Sequence, residues 1–249
     1  MGRRIRIGVL VPSTNTTCEA DFQMVAPEHV TIHGQRLWLT NDASGEVGIE
    51  RMNAEIVSGA RYLATARVDV IAYGCTTGSF YKGPGWDVEM LARIEREAGV
   101  PTVAASPSVV EALRFFGARK IVVASPYPVW NNQQLQVYLE ATGFDVLKIA
   151  GDPMAAKVGN QGINDQEPER VVAFAACTWQ PEADALFCSC TAWRAMEAAE
   201  VLEHYTGKPV VTSNQATIWA AFRKVGIEQP IYGFGKLLEN LAAAPVPPV

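Results

Sequence analysis

Two segments of the chain repeat one arrangement: VIAYGCTTGSF at 70–80 and ALFCSCTAWR at 185–194 each run an apolar strand into a Cys-Thr pair. Their surroundings repeat too. Pro12, closing an apolar run, stands 63 residues before Cys75, and Pro126, closing another, stands 64 residues before Cys190. Behind each cysteine come a helical pattern, a Gly-x-Pro (Gly99-Val100-Pro101 and Gly207-Lys208-Pro209), a short strand and a Ser-bearing turn (Ala105-Ser106 and Thr212-Ser213). Then comes a helix ended by Gly117 or Gly226. The unit is too long for a solenoid repeat, so the chain reads as two copies of one larger α/β unit.

Strands are expected over 5–11, 30–39, 68–74, 102–105, 120–124, 145–149, 185–189, 210–212 and 230–233. Helices are expected over 18–24, 50–66, 87–98 with Asp87 as its cap, 107–116, 131–141, 169–179, 192–205, 215–224 and 237–243. The Gly-, Asn- and Asp-rich stretch 151–167 reads as a loop, and the Pro-rich 244–249 as a frayed tail. This alternation predicts an α/β protein of two similar Rossmann-like lobes, with parallel sheets related by a pseudo-twofold and an active site in the cleft between them. Each copy's last helix leads into the strand that follows. The chain is therefore expected to cross between lobes near Ser106 and return near Ser213, giving one lobe of 1–105 plus 214–249 and another of 106–213. Open parallel sheets bind ligands at the carboxyl ends of their strands. There lie the loops 13–17, 75–79, 125–127 and 190–191.

A net charge of −5 argues against a nucleic-acid or anionic-membrane partner. The basic start, Gly2-Arg3-Arg4, leads into a strand pattern too short for a signal peptide, and no apolar run reaches membrane-spanning length. A cytoplasmic location is expected. Five cysteines without a CxxC fit free thiols in a reducing compartment, and the three histidines stand at no metal-ligand spacing, so no metal and no cofactor are expected.

A cysteine ending a buried strand is ordinarily a small packing residue; Cys18, Cys177 and Cys188 are read that way, as are Trp193 and Trp219. Two cysteines at matched strand ends, each before Thr, point instead to catalysis by Cys75 and Cys190. Facing thiols suit chemistry at carbon next to a carboxylate: one, as thiolate, removes a proton or adds to an alkene, and the other delivers a proton. A free thiol is only a few per cent thiolate at neutral pH. A helix start after Cys190, and the turn at Cys75, are expected to supply N–H groups and a positive dipole end that favour thiolate. Ser13, Asn15, Thr76, Thr77, Tyr127 and Thr191 add neutral donors, so a small carboxylate or dicarboxylate can be held without arginine.

Residues 11–19, VPSTNTTCE, resemble the amino-terminal Pro-Ser-Ser-Asn motif of maleate cis-trans isomerases, within the aspartate/glutamate racemase superfamily. GCTTGSFYKG at 74–83 looks like the corresponding segment of arylmalonate decarboxylases, and Ser189-Cys190 matches the second cysteine of both. The resemblance implies that Cys75 is the nucleophile, that Cys190 moves the proton, and that Asn15 and Tyr127 hold carboxylate. Thr76, Thr77 and Tyr127 resemble the carboxylate-holding set of the decarboxylases. Those decarboxylases carry Gly where this chain has Cys75, which argues for a two-cysteine isomerase or racemase. The isomerases' later substrate-binding Asn has no counterpart in MAAKV at 154–158, with Asn160 and Asn164 off register. A decarboxylase protonating an enediolate from Cys190, and a carboxylate-binding protein without turnover, stand as alternatives. The resemblance also admits a homo-oligomer, although no segment marks an interface.

Overall fold

The computed structural model describes residues 3–39 and 45–242, with the backbone alone at 156 and 157. Buried apolar runs form β1 (Ile5–Pro12), β3 (Val70–Tyr73), β5 (Lys120–Ser125) and β7 (Ala185–Cys188). Each is flanked by strands of the same lobe: β2 (Val30–Leu37) and β4 (Thr102–Ala104) in one, β6 (Asp145–Gly151) and β8 (Val210–Thr212) in the other. The sheets run β2-β1-β3-β4 and β6-β5-β7-β8, all parallel, as central strands buried on both faces require.

The duplication extends to single rungs. Leu10 pairs with Tyr73 and its carbonyl accepts the Gly74 N–H at 2.7 Å; Ala124 pairs with Cys188 and its carbonyl accepts the Ser189 N–H at 2.8 Å. Cys75 and Cys190 therefore each stand two residues beyond the last rung of equivalent strands.

Helices cover both faces. α2 (Glu46–Asn53), α3 (Ile56–Thr65) and α5 (Trp86–Ala98) serve the first sheet, sharing a core of Leu10, Met52, Ile56, Ile71, Tyr73 and Met90, while α4 (Thr76–Phe80) packs on helices. α9 (Pro168–Thr178) and α10 (Ala199–Thr206) serve the second over Val122, Val171, Leu186 and Leu202. A third core joins the lobes: α6 (Ala105–Phe115), following β4, packs on α11 (Ser213–Lys224), following β8, with Phe115 and Trp219 rings 5.6 Å apart. α11 also packs on β3, β4 and α1 (Cys18–Val25), where Phe22 meets Phe222 edge-on. α7 (Val129–Ala141), α8 (Ala155–Asn164) and α12 (Lys236–Glu239) complete the described elements.

Several expectations give way. The helix read over 50–66 is two, Glu46–Asn53 and Ile56–Thr65, broken at Ala54-Glu55; apolar spacing that continues across the break makes the stretch read as one. The loop read at 151–167 contains α8, whose Gly159 (φ 67°) kinks it; glycine and asparagine content disguised a helix secured by contacts to the other lobe. Residues 191–198 are turns and a bend, and the helix starts only at Ala199. Tertiary partners take the backbone groups a helix needs: Asn214 Nδ2 donates to the Thr191 carbonyl (2.9 Å), and Thr17 Oγ1 to that of Ala192 (3.0 Å). Gly85 (φ 92°), not Asp87, holds the cap position of α5, and the Asp87 carboxylate accepts from the Tyr138 hydroxyl instead. Residues 230–233 form no strand. Cys177, read as core, is exposed on α9, whereas Cys18 and Cys188 are buried and Trp193 is buried in a turn. The tail at 244–249 lies outside the described residues. No helix among those described is long and apolar enough to cross a membrane.

Candidate active site

The carboxyl ends of both sheets enclose a cavity of about 280 Å³, lined by both Cys75 and Cys190. Asn15, Thr76, Thr77, Tyr127 and Thr191 line it as well. No Lys, Arg, His, Asp or Glu is among the described lining residues, so an anion here would be held by hydroxyl and amide donors. Among the described residues no three His, Cys, Asp or Glu cluster in a way that would hold a metal ion.

Cys75 is the N-cap of α4: its backbone is extended, and its sulfur accepts the Gly78 N–H at 3.3 Å. Burial pushes this thiol up to about 12; the Gly78 N–H pulls it back, the Cys190 charge across the cleft adds to the rise, and the Tyr73 hydroxyl opposes it. Cys190 is half-buried, with φ of 133°, a conformation a side-chain-bearing residue adopts only under constraint. The constraint is visible: its N–H donates to Ser213 Oγ at 3.0 Å. Burial pushes its thiol up to about 11, and the Ala192 N–H at 3.4 Å, the Tyr127 hydroxyl and the Trp193 N–H pull it back. The turn after Cys190 thus does what a helix start was expected to do. At both cysteines desolvation outweighs the donors, so burial favours the neutral thiol while the N–H groups expected to favour thiolate oppose it.

The neutral donors interlock. Thr191 Oγ1 donates to the Gly74 carbonyl (3.0 Å) and accepts from Asn15 Nδ2 (3.1 Å), tying the turn of one cysteine to that of the other. Asn15 Oδ1 accepts the Thr17 and Cys18 N–H groups at 3.0 and 2.9 Å and so opens α1. Thr76 Oγ1 donates to Ser213 Oγ at 2.9 Å. Tyr127 is buried with its hydroxyl near Ser189, Thr76 and Cys190. Thr77 accepts from Asn131 Nδ2 at 3.0 Å. Ser13 is placed differently: its hydroxyl bonds the Leu39 carbonyl and N–H, and it does not line the cavity.

Sequence reasoning passed over Asn131, Leu39, Ile49, Trp130 and Ile163, and set Asn160 aside as off register, yet all of them line the cavity. Asn160 and Asn164 are four apart on α8 and share a face. Asn164 reaches across the cleft to accept from Thr16 N–H (3.0 Å) and Thr17 Oγ1 (3.1 Å) and to donate to the Thr14 carbonyl (3.0 Å). That i, i+4 spacing was the available signal, hidden once Gly159 and Gly162 had made the stretch read as loop.

Asp21 lies one layer further out, 2% exposed, and takes part in none of the ion pairs among the described residues. Asn214 Nδ2 donates to its carboxylate at 2.6 Å and to the Thr191 carbonyl, while Asn214 Oδ1 is buried without a partner. Burial pushes the Asp21 carboxyl up to about 7, against the pull of the Asn214 donor. A carboxyl raised from its unfolded 3.8 binds its proton more tightly in the fold, so stability falls as pH rises from 4 to 7 and stays low above. Asp21→Asn is expected to remove that fall, stabilising the protein at pH 8 by up to about 4 kcal/mol and by little at pH 4. Urea unfolding at both pH values checks this, and equal gains at the two would contradict it.

Residues 7–238 match the family model for arylmalonate decarboxylase. Among curated proteins, the chain is 28% identical to a maleate isomerase of Pseudomonas putida, over 96% of this chain and 99% of that one. It is also 28% identical to an arylmalonate decarboxylase of Bordetella bronchiseptica, over 94% and 96%. Among solved structures, a maleate cis-trans isomerase of Nocardia farcinica, a cysteine-to-serine variant with a covalently bound succinylcysteine intermediate, superposes with a TM-score of 0.88 at 24% identity. The superposition covers 96% of this chain and 99% of that one.

Proposed function

The chain belongs to the arylmalonate decarboxylase family, and on that premise we propose that it is a cofactor-independent isomerase of a small cis-enedioic acid, of the maleate kind. The observation that carries this reading is a cysteine in each lobe, both on one cavity. The lobes are taken as 1–105 plus 214–249 and 106–213, with the cleft as their joint. Cys75 Sγ, as thiolate, adds to one alkene carbon; the electron pair moves to the neighbouring carbon, delocalised into its carboxylate, and the Cys190 thiol protonates it. The former double bond is now single and rotates. The Cys190 thiolate then takes a proton back from that carbon, the C–S bond breaks, and the trans acid leaves with Cys75 again a thiolate. The succinylcysteine held by the Nocardia relative is what such an addition forms from maleate. In this reading Asn15, Thr76, Thr77, Tyr127 and Thr191 hold the carboxylates, and Asn131 and Asn160 extend the donor set.

One observation favours a second reading. Neutral, desolvated thiols suit a proton donor better than a nucleophile. A decarboxylase would break a C–CO2 bond of a substituted malonate and protonate the enediolate from Cys190, solvent restoring the thiol; a two-thiol racemase would exchange the α-proton of a chiral acid. Proton NMR in heavy water with maleate, an arylmalonate and a chiral α-substituted acid separates them. Fumarate from maleate without added metal or nucleotide is the expected result. Carbon dioxide or α-deuteration with unchanged maleate would replace it with the second reading, and binding of every acid without turnover would leave only a carboxylate-binding protein.

A further inference from the structure

Tyr73, the last residue of β3, is fully buried and does not line the cleft. Its hydroxyl donates to Asn53 Oδ1 and stands against Gly78, the residue whose N–H donates to the Cys75 sulfur at 3.3 Å, so that hydroxyl and thiol are neighbours around one glycine. The direction of the first bond is fixed from outside. Asn53 Nδ2 donates to the Gly78 carbonyl at 3.0 Å, so the amide must turn its oxygen toward Tyr73. Room for the hydroxyl comes from residue 78 being glycine: a Cβ there would collide with Tyr73 Oη and stand 2.9 Å from its Cζ. With its proton on Asn53, the hydroxyl offers the thiol only lone pairs, an arrangement that suits S–H and not S⁻.

We propose that Tyr73 is a further catalytic residue, its buried hydroxyl swinging its proton from Asn53 Oδ1 to the Cys75 sulfur as that thiol ionises. The thiolate is then held by two donors, Tyr73 O–H and Gly78 N–H. Tyr73 keeps its proton throughout, and the thiol's own proton passes to solvent. Burial raises the tyrosine well above its usual range, so it remains a neutral donor at any working pH. The other titratable groups facing this pair are Cys190 across the cleft, Cys18, and Tyr81 beside Tyr73. In the thiolate state Asn53 Oδ1 loses its donor, which opposes ionisation. The two side chains are therefore expected to act on Cys75 in opposite directions.

The proposal rests on Cys75 being the nucleophile, and alkylation reads that thiol without reference to turnover. The full chain, parent and variants, is treated with iodoacetamide from pH 7 to 9.5, and peptide mass spectrometry follows Cys75 and Cys190 separately. An S–C bond forms as iodide leaves, and the thiol proton passes to buffer. Tyr73→Phe is expected to slow Cys75 about tenfold, the loss of one hydrogen bond to a charge, with Cys190 within twofold of the parent. Asn53→Leu is expected to speed Cys75 severalfold; the Gly78 carbonyl keeps the Trp86 Nε1 donor at 2.9 Å, so no acceptor is orphaned there. Cys75 rates within twofold of the parent, or both cysteines changing together as in a loosened fold, would overturn it. Should Tyr73→Phe fail to fold, the sign of the Asn53→Leu effect decides by itself. Turnover that survives Cys75→Ser would sink the isomerase reading instead, leaving the alkylation result a statement about thiol acidity.

Discussion

Cys75→Ser is expected to lower conversion of maleate to fumarate by at least about 10³-fold while leaving the fold in place. The hydroxyl is nearly isosteric with the thiol but far weaker as a nucleophile and as a leaving group, and the proposed cycle asks Cys75 to be both. Structure should survive, because the residue caps α4 through its side chain and Ser is a preferred N-cap. Near-parental melting with lost turnover would therefore be a chemical effect. Cys190→Ser should lose isomerisation to a similar degree. The two variants part company on other substrates: decarboxylation needs only the proton donor, so an arylmalonate activity would survive Cys75→Ser and vanish in Cys190→Ser. Isomerisation within tenfold of the parent in Cys75→Ser, measured by proton NMR, would remove the nucleophile from the mechanism.

Much of this site was legible because it rests on pattern. Period and spacing alone set the two lobes apart, and the rung that precedes each cysteine repeats between β3 and β7. What stayed hidden depends on contacts between distant residues. Nothing local marks 191–198 as turns; the carbonyls of Thr191 and Ala192 are claimed by Asn214 and Thr17, which lie 23 and 175 residues away. Nothing local marks 155–164 as a helix either, since Asn164 acts through a loop 147 to 150 residues away. The upward push on both thiols was out of reach for a similar reason. N–H donors beside a cysteine can be read from a motif, whereas desolvation is a property of the closed cleft, and at Cys75 and Cys190 desolvation dominates.

That dominance fixes the expected pH dependence. With the Cys75 thiol pushed up to about 12, its thiolate fraction near pH 7 is on the order of 10⁻⁵, and it rises tenfold per pH unit. The isomerase reading therefore predicts kcat/KM for maleate climbing with unit logarithmic slope from pH 7 to near 10, about 10³-fold in all. A Cys190 that only donates a proton stays loaded across the same range, so decarboxylation would be flat. The alkaline limb has a separate cause. Each thiol is raised above its unfolded value of 9.0, so the folded chain retains protons that the unfolded chain sheds, and stability falls as pH rises through 9 toward 11. The loss accrues at up to about 1.4 kcal/mol per pH unit for each thiol, and Cys188, also pushed up to about 12 by burial, adds to it. Activity should therefore turn down where the protein begins to melt, not where a second catalytic group ionises. Far-UV circular dichroism at each pH, recorded beside the rates, tells the two apart. A rate for maleate that is level from pH 7 to 9 would mean that Cys75 is already ionised at rest, and that the donors around it, rather than its burial, control the site.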